Sequence, residues 1–375
     1  MKSILNNKIL FYLLPLSIGL LTSFSLPPYN FLILNFFTFP ILLLFVIHNQ
    51  KKKWKSFKIG WSFGFGYFIS NIYWITNSLT FDEIFKPLIP IALIIIPLFL
   101  GSFYGLVTLI SSFFKLKKNF YTILIFAVIF SLIEIIRGFI LGGFPWNLIA
   151  YSWTNYLNSI QIISFIGTYS FNLISITAFL FPLVIFFNKN LNYKLVVLLL
   201  LFLTLVLNNF YGQYKLKKNY ELNSKIKDFK IKIISPIISI ERFFESNNEE
   251  TLIKELIELS NPNSKSKTIF VFPEGALAGV SLETLKNYKN IFSKNYSKNH
   301  TIIMGINTEK EINDSKKIYN SMVVLDNNLN LINEYNKIKL VPFGEFLPFE
   351  NFFNKIGLKK ISYGYQSFSS GNERK

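Results

Sequence analysis

The sequence predicts an α-helical membrane part with several spans, followed by an α/β extracytoplasmic domain. Of the 375 residues, 51% are hydrophobic and only 16% are charged, which is unusually apolar for a soluble domain of this length. Acidic residues divide the chain, because only Asp82, Glu83 and Glu134 precede residue 211 and the other 18 of the 21 follow it (21 − 3). Strand and helix patterns alternate only after that point. We therefore expect a membrane part over 1–210 and a polar globular part over 211–375.

Seven apolar segments of the first part approach the roughly 20 residues that a membrane-spanning helix requires. Lysines concentrate in alternate loops between them, at 51–58, 115–118 and 189–194. By the positive-inside rule these loops are cytoplasmic, which places the N-terminus inside the cell and everything after Phe210 outside the cytoplasm. The predicted spans are Ile9–Leu26, Phe31–Ile47, Ile59–Ile75, Leu88–Phe113, Phe120–Leu141, Ile160–Phe187 and Leu195–Phe210.

The polar part alternates strands and helices in the order expected of a layered α/β sheet. Ser281 is the expected N-cap of its second helix, and Asp326-Asn327-Asn328 is the expected turn of a hairpin. The predicted elements are a strand at Phe229–Ser235, a helix at Glu249–Ser260, a strand at Thr268–Phe272, a helix at Ser281–Ser293, a strand at Thr301–Ile306, and a hairpin formed by Ser321–Leu325 and Leu329–Glu334.

Two features of the membrane part invite a functional interpretation. Glu134 and Arg137 are three residues apart in the fifth span, a helical spacing that allows them to pair, and ionisable residues at such depth are functional candidates. The alternative is an Arg that snorkels to the surface with its partner. Just beyond lies the sequence GGFPWN over 142–147, and the alternative for this loop is a simple interfacial anchor.

Two candidates for chemistry lie in the polar part. Glu274 follows a predicted buried strand, at the end where α/β sheets present catalytic groups, although it could also be a solvated loop acid. The segment Tyr335–Pro348 mixes Lys and Glu with Pro, Gly and aromatic residues. A lysine near a carboxylate can stabilise an oxyanion, whereas a surface lysine is the ordinary alternative in a Lys-rich chain.

Composition excludes several other classes of function. The chain has no cysteine, so disulfides, thiolate metal sites and iron–sulfur clusters are excluded within these residues, and so is a cysteine nucleophile. A net charge of +18 without any nucleic-acid-binding signature favours contact with anionic lipid headgroups, and we expect no nucleic-acid partner. Neither His48, beside a cytoplasmic loop, nor His300, at the start of a core strand, is placed to act as a nucleophile.

Taken together, these motifs resemble the apolipoprotein N-acyltransferases, membrane enzymes with a nitrilase-like catalytic domain. The resemblance rests on Glu134-Ile135-Ile136-Arg137 with GGFPWN, on FPEGA around Glu274, on YNSMVV over 319–324, and above all on YNKIKLVPFGEFLP over 335–348. It implies an α-β-β-α sandwich. It also assigns the catalytic glutamate to Glu274, the catalytic lysine to Lys337 rather than Lys339, and a supporting glutamate to Glu345. The sequence departs from the family at 237–244, where Arg242-Phe243 replaces the usual Lys-Trp. Substrate contacts are expected from Gly143, Phe144, Pro145, Trp146 and Phe343.

The resemblance also implies the reaction and its setting. An acyl chain passes from a phospholipid to the N-terminal amine of a diacylglyceryl-modified lipoprotein, through a thioester on a cysteine. Membrane lipids surround the spans, and no metal or dissociable cofactor is required. The expected location is the bacterial inner membrane, with the catalytic domain in the periplasm.

The family's cysteine has no counterpart in this sequence, which ends 38 residues after Lys337 (375 − 337). We expect a truncated or split product that is inactive alone, or one completed by a second polypeptide that carries the missing segment. A serine such as Ser367, Ser369 or Ser370 is a weak substitute for a thiol. Two alternatives are a cysteine-free lipid- or lipoprotein-binding protein derived from this family and an unrelated transporter.

The segment Pro348–Phe368 interleaves apolar residues with Lys355, Lys359 and Lys360. This pattern predicts a mobile arm that touches the membrane surface and opens to admit lipid. The alternative is an amphipathic helix that covers the sheet.

Overall fold

The computed structural model describes residues 8–80, 83–140, 143–187, 190–223, 228–236, 249–277, 279–312, 315–342, 344–347 and 367–372. Contacts divide the chain into two compact units, Met1–Ser224 and Lys225–Lys375. The predicted arm at 348–368 lies outside the described residues except for its last two positions, and so does the segment 237–244.

The first unit is helical, and the predicted apolar spans lie in helices, although the sixth, Ile160–Phe187, is divided among several short ones. Its main helices are α1 (Lys8–Ser23), α2 (Asn35–Asn49), α3 (Lys53–Asn71), α4 (Ile89–Ser111), α5 (Phe120–Arg137), α6 (Thr168–Leu180), α7 (Pro182–Phe187) and α8 (Leu191–Asn223). Two single-turn helices at Leu157–Ile160 and Ile163–Ile166 precede α6. Short 3₁₀ segments lie at Leu32–Leu34, Tyr73–Leu79, Glu83–Leu88, Ser112–Phe114 and Ile149–Trp153.

Four stretches within the described residues are long and apolar enough to cross a membrane: Leu32–Asn49, Phe85–Phe114, Phe120–Arg137 and Leu191–Glu221. Shorter apolar helices occupy Phe11–Ser23, Leu157–Ile166 and Thr168–Leu180. The sequence predicts the end of the membrane part at Phe210. The residues that follow are mostly polar, but helix α8 continues through them to Asn223. Seven crossings remain a prediction.

Glycine allows α3 and α4 to touch through their backbones. A Cβ on Gly64 would lie 2.7 Å from the Cα of Gly101, closer than side chains tolerate, so only glycine fits at this crossing. Small residues at helix interfaces are how membrane helices pack closely, since lipid offers no hydrophobic force between them. Aromatic rings fill the centre of the bundle, and Phe39 contacts both Phe130 and Phe179.

The second unit is built on one described five-stranded sheet in the order β1-β2-β3-β4-β5. The strands are β1 (Lys230–Ile233), β2 (Thr268–Val271), β3 (His300–Ile312), β4 (Ser315–Leu325) and β5 (Leu331–Asn336). Strands β1 to β3 are parallel, and β3 to β5 are antiparallel. The crossovers are helical: α9 (Glu249–Ser260) precedes β2, and α10 (Leu282–Lys286) and α11 (Lys289–Asn295) precede β3.

Local sequence explains most of these elements. Ser281 accepts a hydrogen bond from the Thr284 amide and caps α10 as predicted. The single helix predicted over Ser281–Ser293 is wrong, because the Asn287 and Tyr288 amides bond to carbonyls three residues back and split it into α10 and α11. His300 is buried at the start of β3 and contacts Asn263, which agrees with its predicted core position.

Candidate active site

Glu274 lies just beyond the carboxyl end of β2 and is held close to β3. A Cβ on Gly305 of β3 would lie 2.7 Å from the Cα of Glu274, so the absence of a side chain there lets the loop approach the strand. Gly275 follows with a positive φ of 72°, a conformation that glycine adopts without strain. The Glu274 side chain is 65% exposed, which leaves its carboxylate open to a reactant.

Asn320 on β4 links two carboxylates. Its Nδ2 donates to Oε1 of Glu274 at 2.5 Å and to Oε1 of Glu345 at 2.6 Å. Its backbone carbonyl also accepts the Lys337 amide at 2.9 Å. Sequence reasoning did not single out Asn320. The available signal was an asparagine among the strand-forming residues of 318–325, where this residue type is disfavoured.

Lys337 follows β5 and points its ammonium group at both carboxylates. Its Nζ lies 2.9 Å from Oε1 of Glu345 and 3.7 Å from Oε1 of Glu274. About a third of the Lys337 side chain is exposed, so the charge is partly shielded from water and still accessible. The structure therefore brings together Glu274, Lys337 and Glu345, three residues predicted from the sequence, while Lys339 is exposed.

Glu345 is the buried member of this cluster. Burial favours a higher pKa for this carboxyl, but hydrogen bonds from Lys337, the Val341 amide and Asn320, with the Lys337 charge, outweigh it and lower the pKa below 4.5. Glu345 therefore stays ionised and fixes the Lys337 ammonium. Glu274 differs, because within the described residues no hydrogen bond reaches its Oε2. That oxygen is available to take a proton.

The segment 367–372 borders the cluster through its backbone. The Phe368 amide donates to the Glu345 carbonyl at 2.8 Å, and the Gly371 amide donates to the Lys337 carbonyl at 2.9 Å. The Ser369 amide bonds to Ile318 of β4 at 2.7 Å. These bonds fix the backbone that carries Lys337 and Glu345. No sequence pattern predicted this contact.

A second group of predicted site residues lies in the first unit. Gly143 has a φ of 85°, and a Cβ there would lie 2.2 Å from the Gly138 carbonyl oxygen, so the turn requires glycine. Phe144 is half-buried, while Pro145 and Trp146 are exposed. Phe343, the remaining predicted contact, lies outside the described residues.

Glu134 and Arg137 form the predicted ion pair, with Nη2 of Arg137 3.3 Å from Oε1 of Glu134. Both side chains are fully buried, so the snorkelling alternative is wrong. Nη1 of Arg137 donates to the carbonyls of Phe144 at 2.6 Å and Trp146 at 2.9 Å. The guanidinium therefore turns inward and binds the loop.

Comparison with known proteins identifies the families that the two parts of this chain match. Residues 18–180 match the apolipoprotein N-acyltransferase N-terminal domain, and residues 247–369 match the carbon-nitrogen hydrolase domain. An apolipoprotein N-acyltransferase of Rickettsia prowazekii is 30% identical over 362 residues, which cover 95% of this chain and 70% of that protein. One from Rickettsia typhi is 31% identical, with 98% and 71% covered, and one from Brucella melitensis is 25% identical, with 95% and 69% covered.

The chain belongs to the apolipoprotein N-acyltransferase family. The first matched region contains Glu134, Arg137 and the loop at 143–147, and the second contains Glu274, Lys337 and Glu345. The predicted layout, apolar helices followed by an α/β domain, is confirmed. The family consists of N-acyltransferases. The apolar helices of this chain and its bacterial relatives indicate a membrane protein. The described residues show one sheet, so the two-sheet sandwich expected from the resemblance is not resolved by them.

Proposed function

We propose that this chain supplies the base and the oxyanion-binding group of an apolipoprotein N-acyltransferase. The acyl chain of a phospholipid would pass to the α-amine of a diacylglyceryl-modified cysteine at a lipoprotein's N-terminus. The observation that carries the proposal is the cluster in which the Lys337 ammonium lies 2.9 Å from Glu345 and 3.7 Å from the accessible Glu274. Glu274, Lys337 and Glu345 are the proposed catalytic machinery.

The first half-reaction is transfer of the acyl group to a thiol. Glu274 accepts the thiol proton, and the sulfur attacks the ester carbonyl carbon of the phospholipid. Charge then develops on the carbonyl oxygen, where the Lys337 ammonium stabilises it. Collapse of the tetrahedral intermediate breaks the ester C–O bond, and the leaving lysophospholipid oxygen takes the proton from Glu274. The products are a thioester and a lysophospholipid.

The second half-reaction transfers the acyl group to nitrogen. The lipoprotein amine attacks the thioester carbon, Lys337 again stabilises the oxyanion, and Glu274 accepts a proton from the amine nitrogen. Breakage of the C–S bond releases the thiolate, which the same proton neutralises. An amide is formed and the thiol is regenerated, so no oxidant, metal or dissociable cofactor enters the balance.

The thiol must come from outside the 375 residues, since they contain no cysteine. Further residues of a longer chain and a second polypeptide are the two sources we propose. Serine is a poor substitute: the hydroxyl of Ser370 already donates to the Ile338 carbonyl at 2.6 Å. Gly143, Phe144, Pro145, Trp146 and Phe343 are the proposed contacts for lipid, with the catalytic domain in the periplasm.

Complementation tests this proposal. Residues 1–375 are expressed in bacteria depleted of their own N-acyltransferase, alone and as a completed chain, joined to the part of the Rickettsia prowazekii relative that follows its aligned segment. We expect N-acylated lipoproteins, read by mass spectrometry of their N-terminal peptides, only with the completed chain. Acylation by residues 1–375 alone would contradict the need for a thiol. Lipid binding by both proteins without acylation would favour the binding-protein alternative.

A further inference from the structure

A buried polar network lies inside the helical unit. Both oxygens of Glu134 are satisfied there: Oε1 accepts from the Tyr104 hydroxyl at 2.8 Å, and Oε2 accepts from the Asn172 amide. Arg137 completes the network, because its Nη2 lies 3.3 Å from Oε1 of Glu134. Burying an ion pair in an apolar surrounding is costly, and well-packed apolar side chains would often be more stable. Stability alone therefore does not explain these residues.

Three side chains of this region bind the backbone of one short segment, 144–150. Arg137 donates to the carbonyls of Phe144 and Trp146, as described above. The Tyr67 hydroxyl of α3 donates to the Asn147 carbonyl at 2.9 Å, and Oδ1 of Asn172 on α6 accepts the Ala150 amide at 2.8 Å. Side chains of three helices thus hold the backbone of a segment that itself lacks helical hydrogen bonds over 144–148.

An exposed aromatic ring of this segment pairs with one from the 3₁₀ segment Tyr73–Leu79. Trp146 is 52% exposed and Trp74 is 41% exposed, and their ring centroids are 5.4 Å apart. The Phe144 ring stands 5.3 Å from that of Trp146. Indole rings favour the membrane interface, where an apolar body meets a polar edge. The polar network and the exposed aromatic rings therefore contact the same segment of the chain.

We propose that the network of Tyr67, Tyr104, Glu134, Arg137 and Asn172 positions the Trp74–Trp146 pair as a contact for the ester region of a membrane phospholipid. The inference rests on the proposed function for the loop at 143–146, and it adds Trp74 as a lipid contact and the network as the positioning group. Arg137 suits this role because its planar fork binds the carbonyls of Phe144 and Trp146 and the Glu134 carboxylate at once. Lysine, a point charge, cannot reproduce that geometry.

Fluorine NMR of the full chain in phospholipid nanodiscs tests the inference without requiring catalysis. Its five tryptophans, labelled with 5-fluorotryptophan, give five resonances that single Trp→Phe variants assign. With nitroxide-labelled phospholipid, we expect the resonances of Trp74 and Trp146 to be broadened. In Arg137→Met we expect the chemical shifts of Trp74 and Trp146 to move away from their wild-type values, while those of Trp61 and Trp153 stay unchanged. Arg137→Lys should have the same effect, because a positive charge without the planar guanidinium cannot bind all three groups.

Thr108→Val is the matched control. Thr108 is as buried as Arg137 and donates to the Ser56 carbonyl at 2.7 Å, away from the loop, so this variant should keep the Trp74 and Trp146 signals. Wild-type positions for both signals in Arg137→Met would overturn the positioning role, and so would a common displacement of all five resonances. Absence of nitroxide broadening at Trp74 and Trp146 in the wild type would instead overturn the lipid contact. Neither result bears on Glu274 and Lys337.

Discussion

The charge of Glu345 depends on the side chains around it. Burial opposes ionisation, but the hydrogen bonds and charge of its partners lower the pKa of this carboxyl below 4.5. A carboxyl with a lower pKa in the folded state stabilises the fold above its unfolded pKa, and this contribution is lost as the pH falls through the folded pKa. Glu345 therefore links the stability of the site to acidity.

Glu345→Gln should weaken that link. We expect the apparent melting temperature of the full chain at pH 7 to fall, because a hydrogen bond to a charged partner is worth about 1.5–3 kcal/mol. As the pH falls below about 4.5, the gap between the melting curves of the variant and wild type should narrow, and it should close once the pH has passed below the lowered pKa of the folded wild type, where its carboxyl is protonated. Glu258→Gln, an exposed change on α9, should follow the wild type throughout. A constant gap between Glu345→Gln and wild type down to the lowest pH would exclude this role.

Lys337 and Lys339 offer a matched pair of substitutions. In the completed chain, Lys337→Met should lower the rate of acyl-enzyme formation by about 10²–10³, the usual effect of removing one oxyanion contact. Lys339→Met should have little effect, because Lys339 is exposed and Lys337 holds the ion pairs with Glu274 and Glu345. Quenched mass spectrometry of the thioester gives both rates. Equal rates for the two variants would mean that the wrong lysine is assigned.

At the level of elements, the position of Glu274 depends on the contact of its loop with β3. Gly305→Ala places a methyl group 2.7 Å from the Glu274 Cα, and overpacking of this kind typically costs about 1–3 kcal/mol. We expect a lower melting temperature and loss of acyl-enzyme formation in the completed chain. Gly344→Ala is the comparison for stability, since its Cβ would come no closer than 3.5 Å to Val341. Full acyl-enzyme formation by Gly305→Ala would show that the loop tolerates displacement.

Elements were easier to predict than the contacts between them. The strands and α9 follow from local patterns, and the cap of α10 follows from Ser281 alone. Asn320 was missed because its partners, Glu274 and Glu345, lie 46 and 25 residues away and are brought together only by the sheet. Tyr104 and Asn172 were missed for the same reason, since they meet Glu134 across three helices. Residue type and spacing reveal charged candidates, whereas neutral partners become visible only after folding.

At the scale of the whole molecule, the charge pattern predicts which parts of the chain lie on each side of the membrane. Lysines at 51–58 should face the cytoplasm, and Glu274 should lie outside it. Helix α8 supports a crossing before the second unit, because 33 residues at about 1.5 Å each reach about 50 Å, more than the roughly 30 Å hydrocarbon core. Its first part is apolar and largely exposed, as a lipid-facing helix is.

Topology reporters fused after Lys53, Lys117 and Lys267 test this arrangement. We expect alkaline phosphatase, which is active only outside the cytoplasm, to be active only after Lys267, while a fluorescent protein that matures in the cytoplasm should report Lys53 and Lys117. Lys117 serves as an independent control, because it belongs to a different lysine-rich loop with the same predicted side. If Lys53 and Lys267 report the same side, the number of crossings between them is even, and seven spans with a periplasmic catalytic domain is wrong. In that case the lysines of 51–58 owe their number to composition, and Glu274 lies on the same side of the membrane as they do.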